Sequence, residues 1–147
     1  MLKAVIFAGA TLAMTMPAAA ADLIRKSSPY SVAVTMDKLE AAVTGAGARV
    51  FARVDHAAGA ASVDMELADA QLLIFGNPKL GTPAMQAGIT SGLDLPLRVL
   101  VYQGAAGVEL VYHDPKTLSS AHGIPSDAKV LKMMTGAMGT LTDKAID

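Results

Sequence analysis

The sequence predicts an α+β domain in which an antiparallel sheet carries its helices on one face. Three observations indicate this class. Several apolar and β-branched runs of strand length follow one another, a short Gly/Ala turn joins two of these runs, and segments with helical spacing lie near both ends. The 147 residues suit a single domain with one hydrophobic core.

The first 21 residues have the layout of a secretory signal peptide. Lys3 supplies a positive charge, an apolar stretch follows, Pro17 interrupts it, and the small residues of AAAAD end at Asp22. Because the apolar stretch is shorter than the roughly 20 residues that cross a bilayer, a cleaved signal is favoured over a membrane anchor. We therefore expect one mature domain over residues 22–147, periplasmic or secreted, without a membrane span.

Composition excludes several classes of partner and chemistry. Of the 12 basic residues, Lys3 lies in the predicted signal, which leaves 11 basic against 13 acidic residues. This balance gives no electrostatic reason to expect nucleic acid as a partner. The chain has no cysteine and no tryptophan, which excludes thiol chemistry and disulfides and disfavours stacking surfaces for bases.

The first two predicted elements are a strand and a helix. The segment DLIRKSS can open the domain as a strand, and Ser31 follows as a helix N-cap. Apolar residues then recur at helical spacing and form one stripe: Val32, Met36, Leu39 and Val43. This helix is expected to end at Gly45 or Gly47.

The next segments predict two strands of different burial. ARVFARVD alternates in the manner of a strand with one buried face, whereas HAAGAASVDMELA permits either a short helix or an irregular crossing. AQLLIF is continuously apolar, so it is predicted to lie in the middle of the sheet with both faces covered. Since few residues remain to cover the second face, the simplest cover is a second copy of the chain, and a homodimer is expected.

The remaining segments predict a hairpin between two helices. Thr82 followed by Pro83 indicates the start of a short helix over PAMQAGITSG. PLRVLVYQ and VELVYHD flank a turn from Gly104 to Gly107 and form the hairpin. A polar turn then carries TLSSAHGIP, and Ser126 is the expected cap of a last helix. The apolar face of that helix is predicted from helical spacing to contain Val130, Met134, Ala137 or Met138, and Leu141.

Four segments together resemble the DUF302 family, a set of small bacterial domains of undefined function: LLIFGNPKLGTPAMQ, LDLPLRVLVYQ, VYHDP and AHGI. The resemblance covers essentially the whole mature chain and includes VDHAAGA around His56. It implies a β-α-β(4)-α fold similar to the TATA-binding-protein-like class, generally as a dimer, and no established activity. His113 departs from the family pattern, since members commonly have a small polar residue such as asparagine there.

The segment FGNPKLGTP is a candidate anion or ligand loop with five candidate residues: Gly76, Asn77, Lys79, Gly81 and Thr82. The N–H groups of a helix that starts after Thr82 would carry partial positive charge, and Lys79 lies nearby. A nucleotide site is not predicted, because two prolines remove N–H donors and Lys79 precedes the second glycine. The favoured alternative is a rigid connector in which Gly76 permits an unusual backbone angle and the prolines fix the path.

Three histidines are candidates for chemistry, although none forms an HxxxH or HExxH metal motif. If His56 and His122 meet in space, they would bind a transition metal or haem iron, or act as acid and base. The alternative is that they cap turns, and His113 is a weaker candidate. Asp94 and Asp114 lie close to prolines and are predicted to fix turns.

Other catalytic classes receive less support. Met133, Met134 and Met138 offer soft ligands for Cu(I), but Met134 and Met138 share a helical face with core residues. No GxSxG elbow indicates a serine hydrolase. The predicted function is an exported homodimer that binds a small ligand or a partner without catalysis. The alternative is a metal- or haem-using enzyme or redox accessory with His56 and His122 at its site; the sequence identifies neither ligand nor cofactor.

Overall fold

The computed structural model describes residues 23–147, so the predicted signal peptide lies outside the described residues. In chain order, the elements are β1 (Leu23–Ser28), α1 (Val32–Gly45), β2 (Arg49–Asp55), α2 (His56–Ala61), β3 (Ala70–Gly76), α3 (Pro78–Ala87), a 3₁₀ helix (Ile89–Leu93), β4 (Leu97–Gly104), β5 (Gly107–His113), α4 (Thr117–His122) and α5 (Lys129–Ile146). No helix in this part of the chain is long and apolar enough to cross a membrane.

The five strands form one antiparallel sheet in the order β1-β5-β4-β3-β2. The predicted hairpin is confirmed: β4 and β5 are neighbours, and Gly104 pairs with Gly107 at the turn. β3 lies between β4 and β2, in the interior of the sheet, as its apolar run predicted. The predicted α+β class is therefore confirmed, with short helices added to the predicted order.

The two long helices, α1 and α5, cover one face of the sheet. Leu73 and Phe75 of β3 and Val99 and Val101 of β4 are at most 1% exposed on this face. Strand β5 adds Val108, Leu110 and Tyr112 to this core, and the helices contribute seven side chains: Val32, Met36, Leu39, Val43, Met138, Leu141 and Ala145. The apolar stripe predicted for α1 is therefore confirmed, and Ser31 caps that helix by accepting a hydrogen bond from the backbone N–H of Val34.

The opposite face of the sheet carries an apolar row that crosses four strands. In this row Val54 pairs with Leu72, Leu72 with Leu100, and Leu100 with Val111. Val111 is buried, Leu72 and Leu100 are half-buried, and Val54 is exposed. Within one chain, therefore, β3 buries only its helix-facing side chains completely.

Helix α3 begins earlier in the chain than predicted. The Asn77 side chain accepts a hydrogen bond of 2.9 Å from the backbone N–H of Lys79, and Pro78 occupies the first helical position. Thr82 and Pro83 lie inside the helix, although Pro83 removes one N–H donor there. The prediction that Thr82 starts the helix is wrong, because Asn77 followed by Pro78 forms an earlier start of the same kind.

The end of the chain also differs from the prediction. Helix α5 begins at Lys129 after Ala128 without a side-chain cap, so the expected cap at Ser126 is wrong. The segment predicted as a polar turn contains α4, which ends at His122 and is capped by Gly123 with a φ of 69°. Tertiary packing explains this helix, because one apolar cluster joins α3, α4 and the first half of α5: Ala84, Leu118, Ile124, Leu131 and Met134.

Candidate functional site

Four of the five predicted loop residues line an apolar cavity of about 260 Å³ where β3 passes into α3: Gly76, Asn77, Gly81 and Thr82. Side chains from β2, α3, α5 and the start of β4 form the other walls: Phe51, Pro78, Leu80, Met85, Leu95, Pro96, Leu97 and Met134. The segment chosen from the sequence thus borders a cavity, and the apolar character of its walls was not predicted.

Gly76 allows a close approach of two segments at this cavity. A Cβ atom at Gly76 would lie 3.3 Å from Cβ of Pro96 and 3.6 Å from Cε2 of Phe51. Positive φ angles among the described glycines occur at Gly47, Gly107 and Gly123. The expected unusual backbone angle at Gly76 is therefore wrong, and glycine matters there because Pro96 packs where a Cβ atom would point.

Lys79 does not line the cavity and is exposed on α3. The helix start on which the predicted anion site depended lies at Asn77 rather than after Thr82. In addition, the Asn77 side chain already accepts from the N–H of Lys79, and Pro78 has no N–H. The first N–H groups of this helix, those of Lys79, Leu80 and Gly81, therefore all bond to Asn77, so the free donors on which the predicted anion site depended are missing.

A second cleft, of about 230 Å³, shares Leu97 with the apolar cavity. We call it the polar cleft. Four ionisable side chains line it, from the 3₁₀ helix end, β4 and the end of β5: Asp94, Arg98, His113 and Asp114. The other lining residues are mainly apolar: Leu97, Pro115, Thr117, Leu118 and Ala121.

His122 is held beside the polar cleft by two side chains of the 3₁₀ segment. Its Nε2 lies 2.6 Å from Oδ2 of Asp94, and its Nδ1 lies 3.0 Å from Oγ1 of Thr90. Because an ionised carboxylate only accepts, Nε2 donates to Asp94, while Nδ1 forms a hydrogen bond with the Thr90 hydroxyl. The side chain of His122 is only 7% exposed, so it positions Asp94 from the interior.

Asp94 connects His122 to Arg98. Its second oxygen, Oδ1, accepts from Nη2 of Arg98 at 3.3 Å. The hydrogen bond from His122 lowers the pKa of the Asp94 carboxyl below its ordinary value, and neighbouring positive charge adds to this effect. Asp94 was predicted only to fix a turn; its role as a partner of His122 was missed, because the two residues lie 28 positions apart.

The structure does not bring His56 to His122. His56 begins α2 directly after Asp55, which pairs with Gln71, and Gln71 pairs with Val101 of β4. His122 bonds to Asp94, which precedes β4, and the step from Leu97 to Val101 alone covers roughly 13 Å along the strand. The two histidines therefore lie at opposite ends of the sheet.

The other candidate ligands are also dispersed. His113 is exposed at the end of β5, in the polar cleft. Met134 and Met138 are 1% exposed in the core, as their helical spacing predicted, whereas Met133 is exposed. Within residues 23–147, no group of three or more His, Cys, Asp or Glu side chains is arranged to hold a metal ion.

Comparison with known proteins gives a family and a fold. Residues 24–141 match the family described as "Domain of unknown function DUF302". The chain is 42% identical over 126 residues to "Fluoride-specific ion channel FluC 1" of Brucella suis biovar 1 (strain 1330), covering 84% of this chain and 49% of that protein. The protein of the same name from Brucella abortus biovar 1 (strain 9-941) is also 42% identical, with 46% of its length covered. The chain thus spans about half the length of the curated relatives it matches.

A solved structure agrees with the family match. The crystal structure of an uncharacterized conserved protein DUF302 from Bacillus stearothermophilus is similar to this chain with a TM-score of 0.77 and 15% sequence identity. The similarity covers 86% of this chain and 99% of that one, and at this identity it establishes the fold alone. The extent of the family match, together with the shared fold, shows that the chain belongs to the DUF302 family.

Proposed function

We propose that this protein binds a small, largely apolar molecule in the cavity at the end of β3 and has no catalytic activity of its own. The observation that carries the proposal is the cavity itself, about 260 Å³ with mainly apolar walls. Ligand sites typically begin near 300 Å³, and an apolar cavity of about 150 Å³ accommodates benzene. A molecule with one substituted aromatic ring therefore has a suitable size.

The edge of the cavity supports a ligand with one polar end. Phe51 lines the cavity and is 51% exposed, so its ring reaches solvent. The guanidinium of Arg49 lies 5.3 Å from the centroid of that ring, a cation–π distance. An aromatic ligand would thus contact Phe51 while a polar substituent remains near Arg49 and water.

A substitution that fills the cavity tests this proposal. Gly81 lines the cavity, and a Cβ atom there meets nothing within 4 Å, so the side chain of Gly81→Leu can occupy the empty space. Titration calorimetry with indole and p-cresol should show binding by the native protein and at least about tenfold weaker binding by Gly81→Leu.

Gly136→Leu is the matched control for this experiment. Gly136 is also a helical glycine with no atom within 4 Å of a Cβ, but it lies on α5 and does not line the cavity. This variant should keep the native affinity to within about twofold. Equal affinities of all three proteins, or no binding by the native protein, would contradict the proposal.

The enzymatic alternative has weaker support. A metal or haem site built from His56 and His122 requires the two side chains to be neighbours, but they lie near opposite ends of the sheet. The fluoride-channel name belongs to relatives about twice as long as the matched part, so it adds nothing to the proposal. A binding role is therefore preferred.

We also infer that the mature protein is an exported homodimer. The layout of residues 1–21 supports export, and the partly accessible row of Val54, Leu72, Leu100 and Val111 supports association through the second face of the sheet. Native mass spectrometry of protein isolated from a bacterial envelope should give two chains that each start at or near Asp22. A Leu100→Lys variant should give single chains. An unprocessed or monomeric native protein would refute the corresponding part of this inference.

A further inference from the structure

We infer that the polar cleft is a second binding site, one that takes a small carboxylic acid through the guanidinium of Arg98. The residues that line the polar cleft differ from those that line the apolar cavity, except for Leu97, which lines both. The inference therefore stands independently of the function proposed above.

Arg98 has the donors and the placement that carboxylate recognition needs. Its side chain is 44% exposed in the cleft, and Nη2 donates to Asp94 at 3.3 Å. A guanidinium presents five N–H donors in a planar fork, so further donors remain for the two oxygens of a carboxylate. Bidentate pairs of this kind are among the strong hydrogen bonds in proteins.

A second donor lies beside Arg98. The register that pairs Leu100 with Val111 places Arg98 opposite His113 on the neighbouring strand, and both side chains line the cleft. An imidazole offers at least one N–H donor in either tautomer. Arg98 and His113 can therefore contact the same acidic group.

The two carboxylates of the cleft already have partners within the protein. Asp94 accepts from His122 through one oxygen and from Arg98 through the other. Oδ1 of Asp114 accepts from the backbone N–H of Lys116 at 3.0 Å. Because His122 holds Asp94 from the interior, and Asp94 in turn holds Arg98, the guanidinium is oriented before a ligand arrives. The donors left for a ligand at this side of the cleft are therefore those of Arg98 and His113.

The apolar residues that line the cleft indicate which kind of group is attached to the carboxylate of the ligand. Leu97, Pro115, Leu118 and Ala121 supply apolar surface to the cleft in addition to its charged side chains. A volume of about 230 Å³ accommodates a short apolar body in addition to a carboxylate. Benzoate has this shape and charge, and it serves as the probe.

Three ligands of similar shape but different charge test whether the polar cleft prefers an anion. Titration of the native protein with benzoate, benzyl alcohol and benzylamine should give benzoate an affinity at least about tenfold higher than either of the others. Arg98→Gln, which keeps a polar side chain but removes the positive charge and the guanidinium donors, should weaken benzoate binding at least about tenfold.

Arg25→Gln is the matched control. Arg25 lies on the same face of the sheet, is 54% exposed and pairs with one acid, Glu109, at 3.2 Å, but it does not line the cleft. This variant, and also Gly81→Leu in the apolar cavity, should bind benzoate within about twofold of the native affinity. Circular dichroism would verify that each variant is folded.

Several results would overturn the inference: a preference for benzylamine over benzoate, no binding of benzoate, or an unchanged affinity in folded Arg98→Gln. Loss of benzoate binding in Gly81→Leu would instead move the acid to the apolar cavity and would equally refute it.

Discussion

Leu73→Ala is expected to lower the free energy of unfolding by about 3–4 kcal/mol, since truncating a fully buried leucine removes apolar contacts and leaves a cavity. Leu73 is 0% exposed on the face of β3 that α1 covers. The surrounding core is closely packed against both long helices, so little relaxation into the cavity is expected. Urea denaturation followed by circular dichroism gives the change in free energy.

The preceding residue provides a control of the same type on the other face. Leu72 is half-buried in the apolar row on the opposite face of the sheet. Leu72→Ala should therefore lower the free energy of unfolding by only about 1–2 kcal/mol at low protein concentration. If a second copy covers this face, the cost of Leu72→Ala will rise with protein concentration. Equal costs for the two variants in the monomer would contradict the assignment of the faces.

Gly88→Ala is expected to destabilise the protein by about 3 kcal/mol through a steric clash. The added Cβ would lie 2.5 Å from the carbonyl oxygen of His122 and 3.1 Å from Cγ1 of Ile124. Gly88 has an extended backbone with a φ of −156°, which any residue can adopt, so the effect is steric. Relief of the clash requires α3 to separate from the end of α4.

Gly136→Ala distinguishes this clash from a general effect of replacing glycine. No atom lies within 4 Å of a Cβ at Gly136, and alanine favours a helix by up to about 1 kcal/mol over glycine. This control should therefore be neutral or stabilising in the same urea experiment. A Gly88→Ala variant as stable as Gly136→Ala would show that α3 and α4 do not approach as closely as the structure places them.

Features that depend on neighbours in the chain could be predicted from the residues alone. The cap at Ser31 and the stripe on α1 are interactions within one helix. The hairpin needs only a short turn between two β-branched runs, and the turn at Gly104 and Gly107 has the predicted place. Such local signals also identified the segment from Gly76 to Thr82, because its glycines and prolines interrupt an apolar strand.

Local sequence signals gave wrong predictions where the chain offers two possible helix starts, and where tertiary packing stabilises a helix that has no side-chain cap. Both Asn77-Pro78 and Thr82-Pro83 are good beginnings for a helix, and the chain uses the first and tolerates Pro83 inside the helix. Helix α4 lacks a side-chain cap at its first turn, and burial of Leu118 against α3 and α5 stabilises it instead. No window of the sequence contains these distant contacts.

The polar cleft was decided by tertiary structure alone. His122 and Asp94 lie 28 positions apart, and the register of β4 with β5 places His113 opposite Arg98. The character of the cavity beside Gly76 was likewise set by side chains from β2, α3 and α5. The sequence therefore determined which segments form strands, turns and the main helices, whereas the assembly of distant side chains around a site depended on how those elements pack, because contacts between residues far apart in the chain exist only in the folded state.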